Sequence, residues 1–222
     1  MFSYIFMKIL ESRPKSYDRL INKASRGRVL SVKQAVAAEL ITTDRVLDIG
    51  CGTGELAVML AAQGVCVDGF DINSKMIEIA RERIMTENLE STFTVRHMGV
   101  EGMDSLATSI YDGVVSTLVF SELSDDERRF AYKHAVRVLK PNGLIVIADE
   151  VVPRKTINKL FHTIIRVPML LTTFLISRTT TRPLSNLSEE LAAAGFTIEK
   201  ETRSHGDSFA IVVGRLTQEK QT

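Results

Sequence analysis

VLDIGCGTGELAV, residues 46–58, decides how this chain is read. An apolar run ending in Asp48 gives way to a turn with glycine at 50, 52 and 54, then to the apolar rhythm of a helix. Strand, glycine turn and helix in that order open a βαβ unit whose turn brings backbone close to a ligand. Glycine at alternate positions permits a sharp turn and an approach that any Cβ would block. The free N–H groups at the start of the helix face the same spot. The spacing is G-x-G-x-G, not the G-x-G-x-x-G of dinucleotide-binding turns, and Glu55 follows at once. A pyrophosphate seated there would meet a carboxylate in the first helical turn, where anions are otherwise favoured. A ligand without a phosphate suits the turn better, and a nicotinamide-dependent oxidoreductase is disfavoured.

Working outward, VCVDGFDI (65–72) reads as a second strand ending in Asp71. An acidic residue at about this offset from the first strand hydrogen-bonds ribose hydroxyls in doubly wound nucleotide binders, which makes Asp71 the candidate ribose clamp. Residues 4–11 and 16–40 carry helical spacing broken at Arg13-Pro14, so helices are expected before the first strand. The pattern then predicts strands at 45–49, 65–70, 92–97, 112–117 and 143–149, and helices at 54–63, 74–87, 124–139 and 185–194. Such alternation implies a parallel sheet with helices on both faces. GFTIEKETRSHGDSFAIVVGRL (195–216) adds a hairpin that supplies an antiparallel last strand. Gly50, Asp71, Gly99 and Leu118 all fall at carboxyl ends of predicted strands, where ligands lie in open sheets of this kind.

Composition narrows the function. At 222 residues the chain fits one α/β domain. Lys and Arg (28) nearly balance Asp and Glu (27) and are scattered, so the basic footprint of a nucleic-acid binder is missing. Two cysteines, Cys51 and Cys66, form neither a disulfide framework nor a metal set, which suits the cytoplasm and predicts no structural metal. MFSYIFMKIL at the start is short, carries its lysine inside the run and reads as mature protein rather than a signal peptide. The stretch from Ile157 to Ile176 is unusually apolar but is broken by Lys159, His162, Arg166 and Pro168. A bilayer span needs about 20 predominantly apolar residues. A cover over the site, an oligomer interface or contact with a membrane surface are the readings left for it.

DIGCGTG (48–54) resembles the first motif of the class I S-adenosylmethionine-dependent methyltransferases. YDGVVSTLVFSEL (111–123) and RVLKPNGLIVIADE (137–150) are similar to that family's fourth strand and its turn with fifth strand, so the resemblance runs over roughly residues 40–215. It implies a doubly wound α/β sheet of seven strands, mostly parallel with an antiparallel C-terminal strand, in one domain spanning 1–222. Within it, 1–40 would form a helical lid, 41–150 the cofactor-binding core, 151–183 an apolar insert and 184–222 a C-terminal helix and hairpin. It also implies S-adenosylmethionine as cofactor. Asp48, Gly50, Cys51, Gly52, Thr53 and Gly54 would hold its methionine portion, Asp71 and Ile72 the ribose and adenine face, and Met76, Val100 and Glu101 the adenine. Thr117 and Leu118 complete the set. The family often has Gly-Asp after the third strand; here Gly99-Val100-Glu101 leaves adenine readout open among the Val100 backbone, Glu101 and Asp104.

The sulfonium of this cofactor already activates the methyl group, so positioning supplies much of the catalysis, up to about 7–11 kcal/mol in favourable intramolecular cases. A dedicated base is not required. Glu122 is nonetheless a candidate base or cation partner, with the start of a capped helix as its plainer reading. Tyr17 and His162 are candidate substrate contacts, against ordinary packing roles. Asp48 and Asp71 have a plainer reading as helix caps, Met76 as core, and Cys51 as a buried filler. SYDRLINKASRGRV (16–29) resembles the ubiquinone and menaquinone C-methyltransferase group. FMKILESRPKSYDR, STLVFSELSDDERR, ADEVVPR and TTTRP resemble a small prokaryotic group of corrinoid protein-associated methyltransferases. The expected activity is methyl transfer to a small, lipophilic or corrinoid-associated acceptor; the alternative is a noncatalytic module that binds S-adenosylmethionine.

Overall fold

The computed structural model describes residues 17–154, 183–204 and 207–217. His162, the apolar stretch 157–176 and the Tyr17 side chain lie outside them. Helices α1 (Tyr17–Ala24) and α2 (Arg28–Leu40) precede β1 (Arg45–Ile49). There follow α3 (Glu55–Ala61), β2 (Cys66–Asp71), α4 (Ser74–Thr86), β3 (Phe93–His97), a 3-10 turn at Val100–Ser105 and β4 (Tyr111–Thr117). Then come α5 (Asp125–Val138), β5 (Leu139–Glu150), α6 (Leu187–Ala193), β6 (Phe196–Ser204) and β7 (Phe209–Leu216).

The seven strands form one sheet in the order β3-β2-β1-β4-β5-β7-β6. From β3 to β5 every pairing is parallel; β7 runs antiparallel to β5, and β6 to β7. The chain leaves β1 outward through β2 and β3, then crosses back to lay β4 on the other side of β1. That reversal opens a crevice beyond the carboxyl ends of β1 and β4.

Alternate residues of the central strands feed two cores. Leu47, Ile49, Val114, Ile145 and Ile147 face α5 and α6 on one side. Val46, Val67, Val115 and Val146 face α2, α3 and α4 on the other. With both faces covered, the strands read as near-continuous apolar runs, as parallel sheets require. One exception is Asp68 in the middle of β2, which takes hydrogen bonds from Arg45 (2.7 Å), Thr94 (2.5 Å) and Tyr111 (2.9 Å). Burial alone would disfavour its charge, yet these donors hold its carboxyl below the usual range. One carboxylate thereby ties β2 to β1, β3 and β4 at the edge away from the crevice.

Element boundaries differ from the periodic pattern where local chemistry prevails. α3 stops at Ala61, not 63, ahead of Gly64 in the left-handed region (φ 87°). β5 begins at Leu139 rather than 143, because Leu139 already pairs with Tyr111 across a register shift before the Asn142–Gly143 turn. α5 starts at Asp125 because Ser124 caps it: its hydroxyl accepts from Glu127 N–H while the Glu127 carboxylate reaches back to Ser124 N–H at 2.8 Å. Gly27, at φ 77°, separates α1 from α2.

Candidate functional site

The crevice is lined from four successive strand ends. After β1 come Gly50, Cys51, Gly52 and Thr53; after β2, Asp71 and Ile72, with Met76 from α4; after β3, Gly99, Val100 and Glu101; and from the end of β4, Thr117, Leu118 and Glu122. Twelve residues singled out in the sequence thus share one cleft, counting all of these but Gly99. Asp48 and Gly54 are not on its surface. Gly54 serves packing, since a Cβ there would stand 2.8 Å from the Phe93 ring. Asp104 is not among the lining residues, which leaves Val100 and Glu101 as the acid-side candidates for reading a base.

Backbone geometry shapes the turn. Gly50 (φ 71°) lies against Val119, and a Cβ would sit 2.3 Å from a methyl of that side chain. Gly52 (φ 56°) has no atom within 4 Å of where its Cβ would be, so open space begins at its backbone. Asp71 grips the turn from the neighbouring strand: one carboxylate oxygen accepts Gly52 N–H at 2.9 Å and the other Asn73 N–H at 2.8 Å. Capping of α4 falls to Asn73, whose side chain accepts from Lys75 N–H. Across the cleft Leu118 holds φ 62°, a strained conformation for a large side chain that points to an over-determined site. Its N–H donates to Ala148 O at 2.9 Å. The buried Asp149 next door accepts Ser121 N–H at 3.0 Å and so fixes the loop that carries Glu122.

Asp48 is the outlier in the electrostatics. It is 1% exposed, and neither carboxylate oxygen has a hydrogen-bond partner among the described residues. Burial pushes its pKa up to about 7, Lys33 opposes that rise, and Asp71 adds to it. A buried carboxyl in this state caps no helix; it is a polar group short of a donor. Cys51 is buried beside it and its thiol is pushed well up by that burial, so it is inert filler at the turn.

The N-terminal helices clasp this turn through contacts that periodicity does not reveal. Asp18 of α1 accepts from Thr53 Oγ1 at 2.9 Å and pairs with Arg83 of α4. Asn22 donates to Glu55 at 3.1 Å, and Lys33 of α2 pairs with the same carboxylate at 2.8 Å. Burial works against the Glu55 charge, but these two partners hold its carboxyl below the usual range. The charge that argued against a pyrophosphate is therefore satisfied within the protein. Lys33 is one of several lining residues the sequence reading missed, with Asn73 and Glu127 among the others.

Residues 46–143 match the methyltransferase domain family. Over that stretch, less than half of its length, the chain is similar to class I S-adenosylmethionine-dependent methyltransferases. A ubiquinone/menaquinone biosynthesis C-methyltransferase of Geotalea uraniireducens is 30% identical over 155 residues, covering 66% of this chain and 63% of that protein. An O-methyltransferase of Aspergillus nomiae is 32% identical over 130 residues, 56% of each chain. Across three such curated relatives the chain spans 53–66% of their length. Among solved structures, the methyltransferase SibL in its apo form superposes with a TM-score of 0.72 at 18% identity, over 94% of this chain and 62% of that one. The [4+2]-cyclase SpnF does so at 0.67 and 19%, over 85% and 82%. These two likenesses show the fold alone, and the second shows that the methyltransferase fold also hosts other chemistry.

The residues of this cleft fit the cofactor of those methyltransferases. The unpartnered Asp48 beneath the turn and the open space at Gly52 are features that a ligand with a cationic end would complete. Ile72, 73% exposed at the cleft, offers an apolar face of the kind a flat base covers. Among the described residues there is no group of three or more His, Cys, Asp or Glu that could hold a metal ion, and no helix is long and apolar enough to cross a membrane.

Proposed function

We propose that this chain binds S-adenosylmethionine in the cleft and transfers its methyl group to a small-molecule acceptor. The observation that supports this best is the convergence of Gly50–Thr53, Asp71, Val100 and Leu118, from four strand ends, on one crevice at the sheet's reversal. Asp48 lies nearest the amino-acid end of the ligand, Asp71 takes the ribose hydroxyls, and Ile72 with Met76 covers the adenine. When bound, the cofactor supplies a methyl group already activated by sulfonium charge. The chain's task is to orient the acceptor and keep water out, which is where large rate factors arise in such transfers. Glu122, on the loop held by Asp149, is the residue proposed to take a proton or to face a cationic acceptor. The two cysteines, both unpaired, fit a cytoplasmic setting.

Calorimetric titration with S-adenosylhomocysteine, followed by transfer of labelled methyl into fractionated cell extract, tests the proposal. The acceptor fractions are run with and without a corrinoid protein, the partner suggested by the sequence resemblance. Binding with label appearing in one fraction supports a methyltransferase. Binding with no transfer to any fraction assigns the chain to the noncatalytic alternative. Tight binding of NAD with none of S-adenosylhomocysteine refutes both.

A further inference from the structure

The cleft wall built from the end of β4 carries charge of one sign. Among the described residues that line the cleft, Asp71, Glu101, Glu122 and Glu127 are acidic and Lys33 alone is basic. Lys33 is spent on Glu55, at 2.8 Å, at the start of α3. Asp71 is spent on the backbone of Gly52 and Asn73, and Glu101 folds back over Gly99, where a Cβ would stand 2.2 Å from its carboxylate. Glu122 and Glu127 are left on the wall that the cofactor reading gives to the acceptor, with Leu118, Val119 and Leu123 as its apolar part.

Hydrogen-bond donors on this wall are committed inside the protein. The N–H groups of Leu118, Ser121, Glu122 and Ser124 go to Ala148 O, the Asp149 carboxylate, Val119 O and the Glu127 carboxylate. A helix start normally welcomes an anion, but the first turn of α5 already holds Asp125, Asp126 and Glu127. Arg128 is committed to Glu190, Asp125 and Leu123 O, and Arg129 pairs with Asp126. A carboxylate or phosphate on the acceptor would meet two negative charges here. The plainer reading, in which both acids serve the helix cap, covers only Glu127: the capping box is complete with Ser124 and Glu127, and Glu122 stands two residues before it. The Ser124 donors hold the Glu127 carboxyl below its usual range, so it stays ionised at neutral pH. Ionised carboxylates only accept hydrogen bonds, so the wall suits a group that donates them and carries positive charge.

From this wall we infer that the acceptor is an amine on an apolar body, held as a cation against Glu122 and Glu127, and that anionic acceptors are rejected. The inference rests on the cofactor reading above and decides between the two roles given there to Glu122: it faces a cation rather than taking a proton. Before transfer the ammonium sheds one proton to solvent. The nitrogen lone pair then forms the new N–C bond while the methyl–sulfur bond breaks and leaves its electron pair on sulfur. Positive charge passes from sulfur to nitrogen, into the field of the two carboxylates, which stabilise it as it develops.

The test saturates the protein with S-adenosylhomocysteine and titrates size-matched probes by calorimetry: phenethylamine, phenethyl alcohol and 3-phenylpropionate. The amine is expected to bind about tenfold more tightly than the alcohol, the lower end for a hydrogen bond between charged groups, and the carboxylate more weakly than either. Glu122→Gln is expected to erase the preference for the amine, and Glu122→Asp, which keeps the charge, to retain part of it. Labelled product formed in cell extract is expected to be retained by a cation exchanger at neutral pH. The inference falls, while the cofactor reading stands, if the carboxylate binds as tightly as the amine, if the preference survives Glu122→Gln, if no probe binds, or if the cation exchanger does not retain the labelled product. Wild-type protein that does not bind S-adenosylhomocysteine overturns the cofactor reading and this inference with it.

Discussion

Replacing Asp48 with asparagine is expected to stabilise the protein while weakening its ligand, and the size of the effect depends on pH. The carboxyl ordinarily titrates near 3.8, and burial raises it to about 7 in the folded chain. The folded state thus binds a proton more tightly than the unfolded state, so stability falls as pH rises between those values. Below the lower value the group is protonated in both states and contributes nothing to the slope. Above the upper one the folded protein carries the full cost of an ionised carboxylate with no donor. Integrating the linkage between pH 5 and pH 8 gives a loss of about 2–3 kcal/mol for wild type. The asparagine side chain has no such titration. The buried Asp149, also raised, is common to both proteins and cancels in the comparison. Urea denaturation at the two pH values should therefore show the Asp48→Asn variant gaining about 2–3 kcal/mol on wild type, or roughly 5–10 °C in Tm for a domain of this size. A gap that stays constant across this range would refute the reasoning, since it would mean that Asp48 has a donor or ionises normally. The ligand side follows with the opposite sign. A cationic amino group needs the ionised carboxylate, so S-adenosylhomocysteine should bind wild type more tightly as pH rises through about 7, and the Asp48→Asn variant should lose that dependence.

Further expectations rest on other parts of the site. Gly50→Ala places a side chain at φ 71° and 2.3 Å from Val119, and should cost about 3 kcal/mol or more in a denaturation experiment because strain and overlap add. Asp71→Ala removes the acceptor for Gly52 and Asn73 N–H, so affinity for S-adenosylhomocysteine should fall at least tenfold and exchange of the Gly52 amide should quicken, the first read by calorimetry and the second by hydrogen exchange. Asp18→Ala unclasps α1 from Thr53 and Arg83; amide protection in residues 17–40 should drop while the β1–β5 core keeps its own. Tyr111→Phe leaves Asp68 with two of its three side-chain donors and should cost about 1–2 kcal/mol, measured by urea denaturation.

What is legible in the sequence is whatever depends on neighbours along the chain. The glycine turn at 50–54, the acidic end of β2, and the alternation of apolar runs are local patterns, and each fixes a strand end or a sheet face. The strands and the helices between them follow from these patterns, whereas the doubly wound order of the seven strands is implied by the family resemblance. Missing are interactions between residues far apart. Asp18 meets Thr53 across 35 positions and Lys33 meets Glu55 across 22; nothing in the spacing of α1 or α2 marks which polar residue on a half-exposed helix will turn inward. Asp48 reads as a ligand residue only through the company it keeps, and its lack of a donor is a fact of packing that no pattern records.

That difference has a physical meaning for the site. The local patterns build a rigid frame of backbone, held by parallel strand pairing and by Asp71 across the turn. The long-range contacts add charge to that frame from a separate piece of chain, the two N-terminal helices. A frame fixed by β-ladder hydrogen bonds resists distortion, whereas an ion pair made by two side chains, such as Lys33–Glu55, can rearrange without moving the backbone. A ligand that reaches Lys33 can therefore be met without rebuilding the turn, while the Glu55 pair already satisfies part of that charge. The unpaired Asp48 is the exception, because it has no contact to give up: a donor arriving there gains a bond and relieves a buried charge together. Ligand binding energy should accordingly concentrate at Asp48 more than at Lys33, so Asp48→Asn should weaken S-adenosylhomocysteine more than Lys33→Met does at pH 8, and the reverse order in calorimetry would overturn this account.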